Sequence, residues 1–310
     1  MSVDALQEKI RKTKNPSVLY LDGVTDWIPP HIREAAENET AAYGTFCRNL
    51  LEELKGVIPA VRFGFGGFSL LGAEGMQLLA MLLKEADRLG YYVLLDAPSV
   101  LNIQSAKRAA AVLGSKECPY LFDGLVVSSW LGTDVLKAFL PLCKEGKTLF
   151  PLVRTANRSA SEIQDLITGG RLVHTAVADL ISRLGEPQIG KCGYSNVGAV
   201  ASASSADSLR TLRTKYPRLF LLLDGYDYPN ANAKNCSFAF DKLGHGAVAC
   251  ASESILNAWQ EGEAEDYLRL AKEAAERMKK NLTRYITVLY LCNRGVAPMI
   301  KLPYPGWHRW

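Results

Sequence analysis

Residues 91–106 read YYVLLDAPSVLNIQSA. Tyr92, Val93, Leu94 and Leu95 form an apolar run without alternation, the pattern of a strand covered on both faces, and the run ends on a carboxylate, Asp96. The same unit recurs in both directions along the chain. Apolar runs rich in Val, Leu and Phe occupy 17–21, 60–65, 91–95, 124–128, 148–154, 199–203, 219–223 and 247–251. Helical periodicity follows, clearest over 73–89, 133–143, 160–184 and 263–285, long enough to cross back over a sheet. This succession predicts βαβ units, and eight of them predict closure into a single (β/α)8 TIM barrel over residues 1–285. A doubly wound open sheet normally carries a glycine-rich fingerprint after its first strand, but here that position reads Leu21-Asp22-Gly23-Val24. The later run Gly64-Phe65-Gly66-Gly67 reads as a tight turn. After residue 285 helical periodicity gives way to proline, glycine and aromatics, so residues 286–310 read as a loosely ordered extension.

Composition bounds the function. At 310 residues, 48% hydrophobic and 22% charged, the chain has the balance of a folded globular protein, and one barrel of about 250 residues plus extensions accounts for it. The formal charge of +4 is dispersed, with no basic run interleaved with aromatics, which argues against a nucleic-acid partner. No segment approaches the roughly 20 apolar residues of a membrane span and the start shows no apolar leader, so a cytosolic protein without a membrane partner is expected. Seven cysteines stand singly and read as reduced and mostly buried. His31, His174, His245 and His308 lack metal-ligand spacing and read as surface or capping residues. No cofactor and no metal site are implied.

Barrel enzymes place their chemistry at the C-terminal ends of the strands. Here those positions are Asp22, Arg62, Asp96, Ser128, Arg154 with Thr155, Ser202, Asp224 and Glu253. Four carboxylates gathered in a partly dry mouth need partners or a cation.

Several stretches, taken in order, resemble the longer bacterial form of the orotidine 5′-phosphate decarboxylase family. They are KNPSVLYLDGVTDWIPPHI, YYVLLDAPSVLNIQSA, VVSSWLGTDVLKAFLPLCKEGK, LVRTANRSASEIQD, IGKCGYSNVGAVASAS, FLLLDGYD and ACASESI, spread over residues 1–285. The resemblance implies a site at a two-fold dimer interface, with a lysine after strand two and an Asp-x-Lys-x-x-Asp run after strand three. A carboxylate crowds the substrate carboxylate, and the ammonium protonates the carbanion left by carbon dioxide. Asp22 and Asp96 match. Arg62 stands for the first lysine, Pro98 for the second and Leu101 for the last aspartate, with Asn102 at that place if the frame shifts by one. Pro98 has no proton to give and Arg62 is a poor donor near neutral pH.

The resemblance also implies a phosphate held by a glutamine after strand seven and an arginine after strand eight. Those turns read Gly225-Tyr226-Asp227-Tyr228-Pro229 and Ser252-Glu253-Ser254. A glutamate 4 Å from a phosphate charge costs about 4 kcal/mol per charge pair at an effective dielectric of 20. Ser128, Thr155, Asn157, Gly225, Tyr226 and Glu253 are the candidate ligand-binding residues, and Trp130 is a candidate filler of the vacated pocket.

Three readings follow. One is a pseudoenzyme kept for binding or for association with a second copy, a paralogous protein or another partner, with a nucleotide ligand disfavoured. Another is an enzyme of altered chemistry in which Asp22, Asp96, Asp224 and Glu253 hold a divalent cation. The third is an active decarboxylase of pyrimidine biosynthesis working through compensating residues.

Overall fold

The computed structural model describes residues 2–293, with side chains as far as residue 286. The eight strands are Ser17–Leu21 (β1), Ala60–Phe63 (β2), Tyr92–Asp96 (β3), Gly124–Val127 (β4), Thr148–Pro151 (β5), Ala199–Ser202 (β6), Leu221–Asp224 (β7) and Ala247–Ala251 (β8). Every pairing is parallel: Val18 of β1 lies opposite Ala60 of β2, and Ser17 lies opposite Ala249 of β8. The order runs β5-β4-β3-β2-β1-β8-β7-β6. Bridges between Leu149 and Val197 and between Leu152 and Val200 complete the circle. The Leu149 N–H donates to the Asn196 carbonyl at 2.8 Å across that seam. The single barrel expected from the apolar runs is therefore present.

Each strand is apolar on both faces because two layers need filling. Leu19, Leu21, Val61, Phe63, Val93 and Leu95 face the surrounding helices. Their alternates Val18, Ala60, Tyr92, Leu94, Phe150, Leu222 and Val248 fill the barrel interior. At the N-terminal end the interior is covered by the helix Val3–Thr13, whose Val3, Leu6 and Ile10 belong to that same inner cluster. Polar side chains fasten it. Asn196 Oδ1 accepts from the Val3 N–H at 2.9 Å, Asp4 accepts from the Cys192 N–H at 2.7 Å, and Gln7 accepts from the Gly246 N–H at 3.0 Å.

Three details depart from the sequence expectation. The stretch 160–184 is not one helix. A 3-10 turn, Arg158–Glu162, leads into a two-stranded hairpin, Ile167–Thr168 with Arg171–Leu172, and then into the helix Val173–Gly185. Gly169 and Gly170, at φ +55 and +78, make the hairpin's turn in a conformation that breaks a helix. The helix Tyr267–Asn293 continues past residue 285, where the helical periodicity of the sequence gives way, and residues 294–310 of the expected extension lie outside the described residues. His174, expected at the surface, is 2% exposed; its Nδ1 lies 3.0 Å from the Gln164 carbonyl and 3.1 Å from Asp165. His308 lies outside the described residues. Among those described, Cys47, Cys143, Cys236 and Cys250 are buried, Cys118 and Cys192 are half-buried, and all six are unbridged. No helix among them is long and apolar enough to cross a membrane.

Leu6 is fully buried between the barrel floor and the N-terminal helix. Leu6→Ala should cost about 2–5 kcal/mol, since strands fixed in a closed barrel cannot collapse into the cavity. Urea unfolding would check this, and a loss below about 0.5 kcal/mol, the range of surface substitutions, would mean that the helix is only loosely docked.

Candidate functional site

Alternation along the strands decides which side chains enter the mouth. Two residues beyond Val18 comes Tyr20, then Asp22; two beyond Ala60 comes Arg62; two beyond Leu94 comes Asp96; two beyond Leu222 comes Asp224. Arg62 is only 4% exposed, and a guanidinium taken out of water needs its donors satisfied. Asp96 does this bidentately, with Nε to Oδ1 at 2.6 Å and Nη2 to Oδ2 at 3.1 Å. Nη1 reaches Asp224 at 3.3 Å, and the group lies 4.3 Å from the centre of the Tyr20 ring. The Tyr20 hydroxyl donates to Asp96 Oδ2 at 3.0 Å.

The titration behaviour follows from this packing. Burial works against the Arg62 charge, but Asp96 and Asp224 outweigh it and hold the group protonated more firmly than usual. Burial, then the Asp96 charge, pushes the Tyr20 phenol up. The same two causes, in the same order, raise the Asp22 carboxyl above the ordinary carboxylate range.

Asp22 owes its position to two glycines. A Cβ on Gly64 would stand 1.6 Å from Asp22 Oδ1, and one on Gly67 would stand 1.8 Å from the Asp22 carbonyl oxygen. The Gly64–Gly67 run, read as a tight turn, leads instead into the short helix Phe65–Leu70 and lets it press against the end of β1.

Above this layer opens a cleft of about 540 Å³. Its walls include Tyr20, Trp27, Tyr226 and Tyr228 together with Asp22, Asp224, Asp227 and Glu253, and among the described residues no Lys, Arg or His lines it. Asp227 Oδ2 accepts from the Ser252 N–H at 2.6 Å, while the Ser252 hydroxyl donates to the Tyr20 carbonyl at 2.9 Å. The other oxygen of Asp227 is buried without a hydrogen-bond partner.

Of the residues singled out from sequence, Asp22, Asp224, Gly225, Tyr226 and Glu253 meet in this cleft, and Tyr20 links it to Arg62 and Asp96. Ser128, Thr155 and Asn157 do not line it. The Thr155 hydroxyl donates to Asn157 Oδ1 at 2.6 Å and accepts from Gln164 Nε2 at 2.8 Å, an arrangement that holds the turn after β5. Arg154 is committed to Asp165 at 2.8 and 3.0 Å. Trp130, expected to fill the vacated pocket, is 37% exposed and stands outside the cleft. Pro98 is half-buried, and Leu101 is 82% exposed. Asn102 caps the helix Ile103–Leu113, accepting from the Ser105 N–H at 2.9 Å. Sequence reasoning missed Tyr20 and Trp27; only Tyr20 left a signal, as the inward residue two before Asp22. Among the described residues no three of His, Cys, Asp and Glu come together as a metal site, which leaves the divalent-cation reading without a geometric basis.

Asp96 and Asp22 should respond oppositely to loss of charge. Asp96→Asn leaves a buried guanidinium with Asp224 as its remaining carboxylate partner and should cost about 3–5 kcal/mol. The Asp22 carboxyl is raised in the fold, so its favourable contribution is present below the unfolded pKa and is lost as pH rises through the folded one. Asp22→Asn should therefore stabilise the protein at pH 7 by about 1 kcal/mol, a gain of roughly 1–2 °C in Tm that fades toward about pH 3, below the unfolded carboxyl value. Denaturation midpoints at the two pH values would check both, and a destabilised Asp22→Asn at neutral pH would contradict this account.

No protein-family model matches the chain. It is 30% identical over 268 residues to an orotidine 5′-phosphate decarboxylase of Rhodopirellula baltica, covering 83% of this chain and 89% of that one. A Clostridium kluyveri relative of the same name is 29% identical over 269 residues, covering 85% and 90%. Among solved structures, Leishmania donovani OMP decarboxylase superposes with a TM-score of 0.68 at 23% identity, covering 91% of this chain and 99% of that one. Plasmodium berghei orotidine 5′-monophosphate decarboxylase gives 0.73 at 13% identity, covering 91% and 98%. These structures carry the likeness of fold, and the curated relatives carry descent: with identity at this level sustained over most of both sequences, the chain belongs to the orotidine 5′-phosphate decarboxylase family.

Proposed function

We propose that this barrel has given up decarboxylation of orotidine 5′-phosphate and works as a cytosolic binding protein through its mouth. One observation supports the reading: the cation at the base of the mouth, Arg62, is buried and paired with Asp96 and Asp224, and among the described residues no lysine lines the cleft above it. The reaction implied by the family resemblance needs an ammonium that can release a proton to a carbanion. Arg62 is held protonated more firmly than a free arginine, and Pro98 has nothing to donate.

The anion clamp points the same way. Where the resemblance implies glutamine and arginine on a phosphate, the two turns present Asp227, Pro229 and Glu253 to the cleft. Asp227 already occupies the Ser252 N–H with its own carboxylate. A dianionic ligand would meet acidic walls with no cation among the described lining residues to offset them.

The second reading, retained decarboxylation in pyrimidine biosynthesis, is favoured by the named relatives and by the survival of Asp22 and Asp96. One assay separates the two. Purified protein should release no carbon dioxide from orotidine 5′-phosphate above background, and the nucleotide should give no thermal shift at about 1 mM. Pro98→Lys alone should not restore turnover, because residues that act as a unit do not contribute additively. Glu253→Arg should improve phosphate binding more than any other single change, by removing a repulsion and adding a bidentate donor. Turnover at roughly 1 per second or faster would establish the decarboxylase instead.

Association is part of the proposal. Leu101, at 82% exposure, follows β3, where the resemblance puts a two-fold interface, and Val112 and Leu121 are also exposed apolar residues after that strand. A homodimer would cover Leu101 as an apolar contact. Light scattering at micromolar concentration should give twice the chain mass, and a monomer mass would count against this interface.

A further inference from the structure

We propose that the mouth cleft is a receptor for an organic cation, an alkylated or primary ammonium compound of small-metabolite size. This rests on the reading that the mouth binds and does not decarboxylate. The argument starts from the cavity. At about 540 Å³ it is of the size that takes a small organic molecule whole. Its wall is aromatic, with Trp27 and Tyr226 half-buried and Tyr228 half exposed at the rim. Aromatic faces attract a cation through the ring quadrupole, and Trp does so best.

The charge on the other walls fixes the sign of the ligand. Asp22 comes from the end of β1, Asp224 and Asp227 from the end of β7 and its turn, and Glu253 from the turn after β8, with no basic side chain among them. Of the four, Asp224 borrows Arg62 from below at 3.3 Å, and one buried oxygen of Asp227 has no hydrogen-bond partner. Among the described residues these carboxylates do not converge on one point as metal ligands would. They stand around a space too broad for a bare ion. A cation that spreads its charge over an alkylated head fits that spacing, because it can touch carboxylates on separate walls while its methyl or methylene groups lie on the rings. The Asp22 carboxyl at this wall is raised by burial and by the Asp96 charge, more than the Tyr20 hydrogen bond and the Arg62 charge lower it.

The test is titration calorimetry on the full chain with choline and n-butylammonium as probes. Their controls are 3,3-dimethylbutan-1-ol, the neutral isostere of choline, and inorganic phosphate. At least one of the two cations should bind, and if choline is that one its neutral isostere should bind at least about tenfold more weakly. Phosphate should give no heat. Glu253→Gln and Tyr228→Leu alter exposed rim residues on which no core packing depends, and each should weaken cation binding by about three- to tenfold, the usual weight of one such contact. Equal binding of choline and its neutral isostere overturns the inference, as does phosphate binding in competition with the cation. So does the absence of heat from both cations at about 10 mM. If the cations fail and orotidine 5′-phosphate is not turned over, this inference falls alone; if the nucleotide is decarboxylated, the reading beneath it falls as well.

Discussion

A guanidinium inside a barrel sets the terms for the mouth of this protein. Arg62 points inward because β2 alternates, and at that depth no water is at hand to solvate it. Its charge has to be matched by side chains from other strands, and two carboxylates, one on β3 and one on β7, supply the match. Once they do, Tyr20 is pinned by both its ring and its hydroxyl, and Asp22 is left facing a charge of its own sign. The cation then ties β2 to β3 and β7 at the mouth.

The likeness to decarboxylase structures covers nine-tenths of the chain and is one of architecture. Strand-end residues can change because they lie above the packed interior. Val18, Tyr92, Leu94, Phe150 and Leu222 fill the barrel below them, and the N-terminal helix covers the other end. Stability is thus carried by one part of the molecule and ligand choice by another. At the mouth, aromatic and acidic walls surround a cleft that no basic residue among the described ones lines.

Much of the fold was legible because its signals are local. Continuous apolar runs marked all eight strands to within a few residues, since a strand buried on both faces has no polar positions to interrupt it. The misread stretch was 160–184, where an amphipathic pattern concealed a hairpin turned by Gly169 and Gly170. No role for the helix Val3–Thr13 was legible in the sequence. Its role in covering the barrel depends on a floor assembled from strands far apart in the chain, which no window of sequence contains.

The sequence by itself determined the barrel and the residues at its strand ends, because each is a matter of residue identity at a position counted along the chain. Tertiary structure alone decided which charges meet. Arg62 and Asp224 lie 162 residues apart yet share a hydrogen bond, and Asp227 turns back onto the Ser252 N–H and leaves its second oxygen unpartnered. Thr155 and Asn157, which looked equally fit for a ligand, are spent on each other and on Gln164. The physical reason is closure. When the sheet joins its edges, side chains from every strand are brought to one mouth, and their pairing is set by reach and burial across the barrel rather than by order along the chain.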